Sequence, residues 1–179
     1  MMKEKYRGRI DNMNSVSIGF RVSPKEIYYA IVENTGDNYE FSSIANIKIP
    51  ISFDDPAKLS YIRNTVSTLL IQYKVCYAGI KLIEGNARSS LTNTSIFRFN
   101  VEGVLMEIFS NSTIEKYFLG VTSNIASILK VQKDKPHLML DQLYDTNELS
   151  TDNHKKVTEE YKEAMIVALA AMEVGEKNE

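Results

Sequence analysis

The chain has 179 residues, 44% hydrophobic and 25% charged, which is the composition of one ordinary globular domain with enough length to bury a core. Its net charge of −2 excludes an overall basic field, so any nucleic-acid contact must come from a local Lys/Arg stripe. A single cysteine, Cys76, excludes an intrachain disulfide and a cysteine-cluster zinc site.

No stretch approaches the roughly 20 apolar residues of a membrane span, and the opening "MMKEKYRGRIDNMN" lacks the apolar run of a signal peptide. These features predict a cytoplasmic protein with no membrane partner. Residues 1–14 read as a flexible arm, 15–174 as one domain and 175–179 as a disordered tail.

Three strands come first. "SVSIGFRV" alternates Val16, Ile18, Phe20 and Val22 on one face, the period-2 signature of a strand. A tight turn at Ser23-Pro24-Lys25 leads into "EIYYAIVE", rich in β-branched and aromatic residues. The turn signal Asn34-Thr35-Gly36-Asp37-Asn38 then precedes "YEFSSIANIKIPI", which gives an antiparallel meander.

Asp55-Pro56 reads as a helix cap followed by proline at the first helical position. Behind it Leu59, Ile62, Val66, Leu69, Leu70 and Tyr73 form one apolar stripe. "CYAGIKLI" is a near-continuous apolar run, the mark of a strand covered on both faces, and it suggests a buried structural thiol at Cys76. The polar loop "EGNARSSLTNTS" follows.

"IFRFNVEGVLMEIFS" predicts a helix with Ile96, Val101, Val104, Leu105 and Ile108 inward and Gly103 as a weak point. "IEKYFLGVT" predicts a fifth strand, and "SNIASILKV" a short helix capped by Ser123. Residues 132–152 carry no clear period. The last helix is expected from about Asp152, with Val157, Tyr161, Ala164, Met165, Ala168 and Met172 buried. His137 and His154 lie 17 positions apart in polar surroundings and predict no zinc site. The isolated glycines Gly19, Gly79, Gly85 and Gly103 make no phosphate-binding loop.

The order β-β-β-α-β-α-β-α-α predicts an α/β domain with a mixed five-stranded sheet, its first three strands antiparallel and the later ones able to pair in parallel. This order resembles the ribonuclease H-like fold. "SIGFRVSPKEIYYAIVE", "AGIKLIEGNARSSLTNTSIFRFNVEGVLMEIF", "IEKYFLGVTSNIASILKV" and "EEYKEAMIVALAAM" are similar to segments of its Holliday-junction resolvase branch.

In that family, carboxylates from strand one, strand four and the last helix hold two divalent ions about 4 Å apart, which clamp the attacking and leaving oxygens of a phosphodiester. The resemblance puts the strand-one aspartate position on Arg21, or on Phe20 if the register slips, and the strand-four glutamate position on Lys81. Only the last helix keeps acids there, at Glu159, Glu160 and Glu163, with Glu163 the best match.

Three functional readings follow from the resemblance. The first is a catalytically inactive domain that binds nucleic acid or serves as an accessory protein, with Arg21, Lys81, Arg88 and Arg98 on phosphate and no cofactor. In it, Glu163 pairs with Arg21 or Lys81 and a salt-bridge cluster replaces the metal cluster. The second is an active nuclease using Glu84, Glu159 and Glu163 with Mg²⁺ or Mn²⁺. The third is a protein-interaction subunit without nucleic-acid contact. DNA, RNA, a second copy of the chain or another protein are the candidate partners.

Overall fold

A computed structural model describes residues 14–36, 38–85, 92–144 and 149–177. Residues 1–13 of the expected arm, Arg88 with most of its polar loop, and the last two residues lie outside the described residues.

The strands are β1 (Val16–Val22), β2 (Glu26–Asn34), β3 (Tyr39–Lys48), β4 (Tyr77–Lys81) and β5 (Lys116–Gly120). The helices are α1 (Asp55–Gln72), α2 (Asn93–Ser110), α3 (Thr122–Leu129), α4 (Leu138–Leu143) and α5 (Glu159–Glu176). The sheet runs β3-β2-β1-β4-β5, with β1–β2 and β2–β3 antiparallel and β1–β4 and β4–β5 parallel. This is the mixed sheet that the sequence predicts.

Alternation along each strand divides the core into two layers. Ile18, Phe20 and Val22 of β1, Ile27, Tyr29 and Ile31 of β2, and Ala78 and Ile80 of β4 face α1 and α2. There they meet Ile62, Val66 and Leu70 of α1, the middle of the predicted stripe, and Val101, Leu105 and Ile108 of α2. On the other face Ala30, Val32, Ile44 and Phe118 pack against α5, where Ala164 through Met172 are all buried.

Helix α5 sits close enough that only glycine fits beneath it. A Cβ at Gly19 would lie 2.2 Å from Ala164 O and 2.3 Å from Ala168 N. The neighbouring Ser17 hydroxyl donates to Ala168 O at 2.6 Å. At the sheet edge, Asp152 occupies the outer side of β3: the Ile44 amide donates to its carboxylate at 2.8 Å, and its own amide donates to Ile44 O at 2.9 Å. That pairing closes part of an otherwise open strand edge.

Several boundaries differ from the sequence expectation. The α1 cap is Asp54, whose carboxylate accepts from the Ala57 amide at 2.9 Å, so Asp55 is already helical. Helix α2 starts at Asn93 because Thr92 and Ser95 form a reciprocal capping box, and this leaves Ile96 on the solvent side at 45% exposure. Ser123 lies inside α3 and is not its cap; Asn124 reaches back to accept from the Val121 amide at 3.1 Å.

Helix α4 was not predicted, since its six residues are too few to show a period. Helix α5 begins at Glu159, seven residues later than expected, because the Ser150–Lys156 bridge holds the preceding segment in a turn. It continues through Glu176, whose carboxylate accepts from Asn34 Nδ2 at 2.5 Å and from the Tyr39 hydroxyl at 2.9 Å, so Gly175 and Glu176 belong to the helix. Cys76 lies just before β4, half-buried, and its thiol donates to Val16 O at 3.2 Å. No helix among the described residues is long and apolar enough to cross a membrane.

Two glycine substitutions separate these roles. Gly19→Ala forces a methyl group into α5 backbone and is expected to cost about 3 kcal/mol or more of stability. Gly103→Ala, on α2 with nothing within 4 Å of the added methyl, should stabilise by about 0.5–1 kcal/mol. Urea unfolding followed by far-UV circular dichroism measures both, and equal effects would contradict the close seating of α5.

Candidate functional site

Strand register brings one polar row across the sheet on the α5 side. Asn46 pairs with Tyr28, Tyr28 with Arg21, Arg21 with Lys81, and Lys81 with Gly120. Arg21 and Lys81 stand near the carboxyl ends of the parallel strands β1 and β4, the end at which open α/β sheets present ligands. The glycine row beneath α5 lies one pleat step away, at Gly19 and Gly79.

Glu163, in the second turn of α5, hangs over this row. Arg21 Nε donates to Glu163 Oε2 at 2.9 Å, and Lys81 Nζ lies 3.3 Å from Glu163 Oε1. One carboxylate is thus shared between two cations on adjacent, in-register strand positions. The side chains of Arg21 and Glu163 are 23% and 25% exposed, while Lys81 is more deeply set at 12%.

Lys81 Nζ also lies 3.8 Å from Glu84 Oε1. That oxygen accepts from the Thr122 amide at 2.9 Å and from the Thr122 hydroxyl at 2.5 Å. Glu84 therefore anchors the first residue of α3, where backbone amides are otherwise unsatisfied. Burial pushes the Glu84 carboxyl up, but the two Thr122 bonds and the Lys81 charge together outweigh it and leave its pKa below the usual 4.5.

Arg98, from the first half of α2, completes the cationic side. It is half-buried, and its Nε has no hydrogen-bond partner among the described residues. Burial and the charge of Arg21 lower its pKa, against the opposing pull of Glu102 and Glu163.

A hydrogen-bonded network supports the row from the side of β2 and β3. The Arg21 guanidinium lies 6.0 Å from the centre of the Tyr28 ring. The Tyr28 hydroxyl donates to Glu26 Oε1 at 2.8 Å, and the amide of Asn46 donates to the other Glu26 oxygen. The Tyr161 hydroxyl donates to Asn46 Oδ1 at 3.1 Å, and its ring meets Tyr28 edge-on at 4.9 Å. Burial, then the bond to Glu26, raise the pKa of Tyr28 far above its ordinary value, so the phenol stays protonated.

Sequence reasoning missed Glu26, Tyr28, Asn46, Tyr161 and Thr122. The signal that could have found Tyr28 and Asn46 is register: once Arg21 is chosen, the meander places both in its row.

The predicted residues divide clearly. Arg21, Lys81, Arg98, Glu84 and Glu163 gather at one end of the sheet, whereas Arg88 lies outside the described residues. Glu159 pairs with His137 at 2.9 Å. The His137 side chain is thereby held against the first turn of α5. Glu160 accepts from the Thr158 hydroxyl at 2.7 Å, and that bond keeps its carboxyl below the ordinary pKa. Among the described residues, no group of three or more His, Cys, Asp or Glu side chains is placed to share a metal ion.

No family model and no curated protein matches this sequence. Solved structures do match its fold. Thermus thermophilus RuvC in complex with a Holliday junction substrate is similar at a TM-score of 0.66 and 11% identity, over 90% of this chain and 94% of that one. A second structure of the same Thermus protein gives 0.65 at 12% identity, over 89% and 94% of the two chains. The yeast mitochondrial Holliday junction resolvase gives 0.59 at 14% identity, over 89% of this chain and 78% of that one.

The chain has a ribonuclease H-like fold. At these identities the likeness to the Thermus and yeast structures is one of fold.

The Glu84 anchor yields a pH test. Because its folded pKa is depressed, its contribution is fully present above the usual value of 4.5 and is lost as pH falls through the folded pKa. Glu84→Gln should lower stability by about 0.5–1 kcal/mol at neutral pH, the scale of a lost helix cap. The gap between the two melting curves should close as pH falls through that depressed folded pKa. A gap that persists unchanged into strong acid would contradict the charge-assisted anchor.

Proposed function

We propose that this chain is a resolvase-like domain that does not cleave by a metal-ion mechanism and acts by binding nucleic acid or as an accessory to its processing. The observation that carries this reading is the clasp of Glu163 between Arg21 and Lys81. Mg²⁺ and Mn²⁺ seek anionic oxygen donors. At the two strand positions facing Glu163 stand a guanidinium and an ammonium, which offer only N–H donors and a repelling charge. Both oxygens of Glu163 are already engaged by them. This donor set does not fit a pair of divalent ions.

The same residues suit an anion. Arg21, Lys81 and Arg98 form a local cationic group at the carboxyl end of the sheet in a chain of net charge −2, and such a group is enough to contact phosphate. The solved structure of Thermus thermophilus RuvC holds a Holliday junction substrate. That likeness makes branched DNA the first ligand to try, with duplex and single-stranded DNA and RNA beside it.

Fluorescence anisotropy on these labelled nucleic acids, over a range of salt, tests the binding, and gel analysis of the same substrates in Mg²⁺ or Mn²⁺ tests cleavage. The expected result is binding that weakens with salt, with intact substrate. Cleavage abolished by Glu163→Gln would overturn this reading in favour of a nuclease built on Glu84, Glu159 and Glu163. Flat traces at low salt would leave the protein-interaction role.

A further inference from the structure

The cationic row at the carboxyl end of the sheet is not free. Its two central members hold an anion that belongs to the protein itself. We propose that Glu163 is an internal competitor for the phosphate position, so that nucleic acid and the Glu163 carboxylate contend for Arg21 and Lys81. This rests on the nucleic-acid reading above and adds a regulatory element to it.

The geometry carries the inference. A phosphodiester presents two non-bridging oxygens on one centre, and a carboxylate presents two oxygens in a similar way. Glu163 gives Oε2 to Arg21 at 2.9 Å and Oε1 to Lys81 at 3.3 Å. The two cations are register partners on β1 and β4, so their backbone positions are set by the sheet and not by Glu163. Removing the carboxylate leaves both cations on adjacent strands, where another two-oxygen anion can lie between them.

A second carboxylate repeats the pattern beside the first. Glu84 takes the Thr122 amide at the start of α3 and lies 3.8 Å from the same Lys81 ammonium. Lys81 is thus flanked by two internal anions. Arg98 adds a third positive charge, whose pKa burial and then the nearby Arg21 charge lower, and its buried Nε has no hydrogen-bond partner among the described residues. About a quarter of the Arg21 and Glu163 side chains is exposed, so an incoming phosphate can reach the pair without opening the core.

An ordinary structural ion pair would hold α5 to the sheet and nothing more. Self-competition differs from it in one respect: neutralising Glu163 must strengthen anion binding, and must do so through Arg21.

The test is the anisotropy of labelled four-way-junction DNA with the wild-type chain, Glu163→Gln, and Glu107→Gln. Glu107 pairs with Arg63 on the α1–α2 surface, so its variant makes the same change in net charge elsewhere. Glu163→Gln is expected to bind about tenfold tighter at low salt, the worth of a charged hydrogen bond. Its log–log salt slope should steepen by about 0.9 for each cation newly neutralised by DNA. Glu107→Gln should leave the slope unchanged, and Arg21→Ala added to Glu163→Gln should remove most of the gain.

Should Glu163→Gln fail to fold, Glu163→Asp serves in its place: its shorter carboxylate keeps the charge but loosens both contacts, and an intermediate gain is expected. Wild-type binding with no gain in a folded Glu163 variant overturns the competition and leaves the nucleic-acid reading standing. Binding by the Glu163 variant alone supports a competitor strong enough to mask the site. No binding by any of the proteins overturns both.

Discussion

The backbone of α5 rests directly on the backbone of β1. At Gly19 there is no room for even one methyl group between the strand and the helix segment Ala164–Ala168. Ser17 fastens the contact with a hydrogen bond to Ala168 O. Gly79 allows the same approach on β4, where an added Cβ would fall 2.7 Å from Val167. This seating fixes the height of the helix above the sheet, and with it the reach of every side chain on its lower face. Glu163 immediately precedes Ala164, and Arg21 lies two residues beyond Gly19. A helix held one side chain farther away could not set one carboxylate between cations on two strands.

From that constraint the rest of the site follows by charge and by register. Arg21 and Lys81 come side by side because β1 and β4 are parallel and in register, and like charges at such spacing repel unless an anion lies between them. Glu163 supplies that anion, and Glu84 supplies a second one for Lys81. Tyr28, Asn46 and Glu26 steady the guanidinium from the meander side with bonds that need no charge from the cluster. The proposed loss of metal chemistry and the proposed competition for phosphate are two consequences of one arrangement.

Much of this was legible in the sequence, and the reasons are local. Alternation in "SVSIGFRV" marks β1 and puts Arg21 on the face opposite Phe20, and the apolar stripe from Ile62 to Leu70 marks α1. The two cations at positions where the resemblance expects acids were enough to suggest that Glu163 pairs with Arg21 or Lys81; the structure shows it between both. Helix starts were less legible. Val157 is buried as a core residue would be, yet it lies between the Ser150–Lys156 bridge and α5, so its apolarity was mistaken for helix. Ile96 looked like a core residue and faces solvent, because the capping box at Thr92 sets the phase of α2.

What the sequence could not show are pairings across long separations. Glu84 with Thr122, Tyr161 with Asn46, and Asp152 with the edge of β3 have no periodic signature, since each partner is an ordinary polar residue until the fold brings them together.

The most direct measurement of the central claim is Mn²⁺ binding to the full chain, followed by electron paramagnetic resonance of the free ion, in wild type and in Glu163→Gln. If Arg21 and Lys81 clasp the Glu163 carboxylate in place of a metal ion, as proposed, neither protein should bind Mn²⁺ at this site, and the two titrations should coincide. Stoichiometric Mn²⁺ uptake by the wild-type chain that Glu163→Gln abolishes would contradict the account.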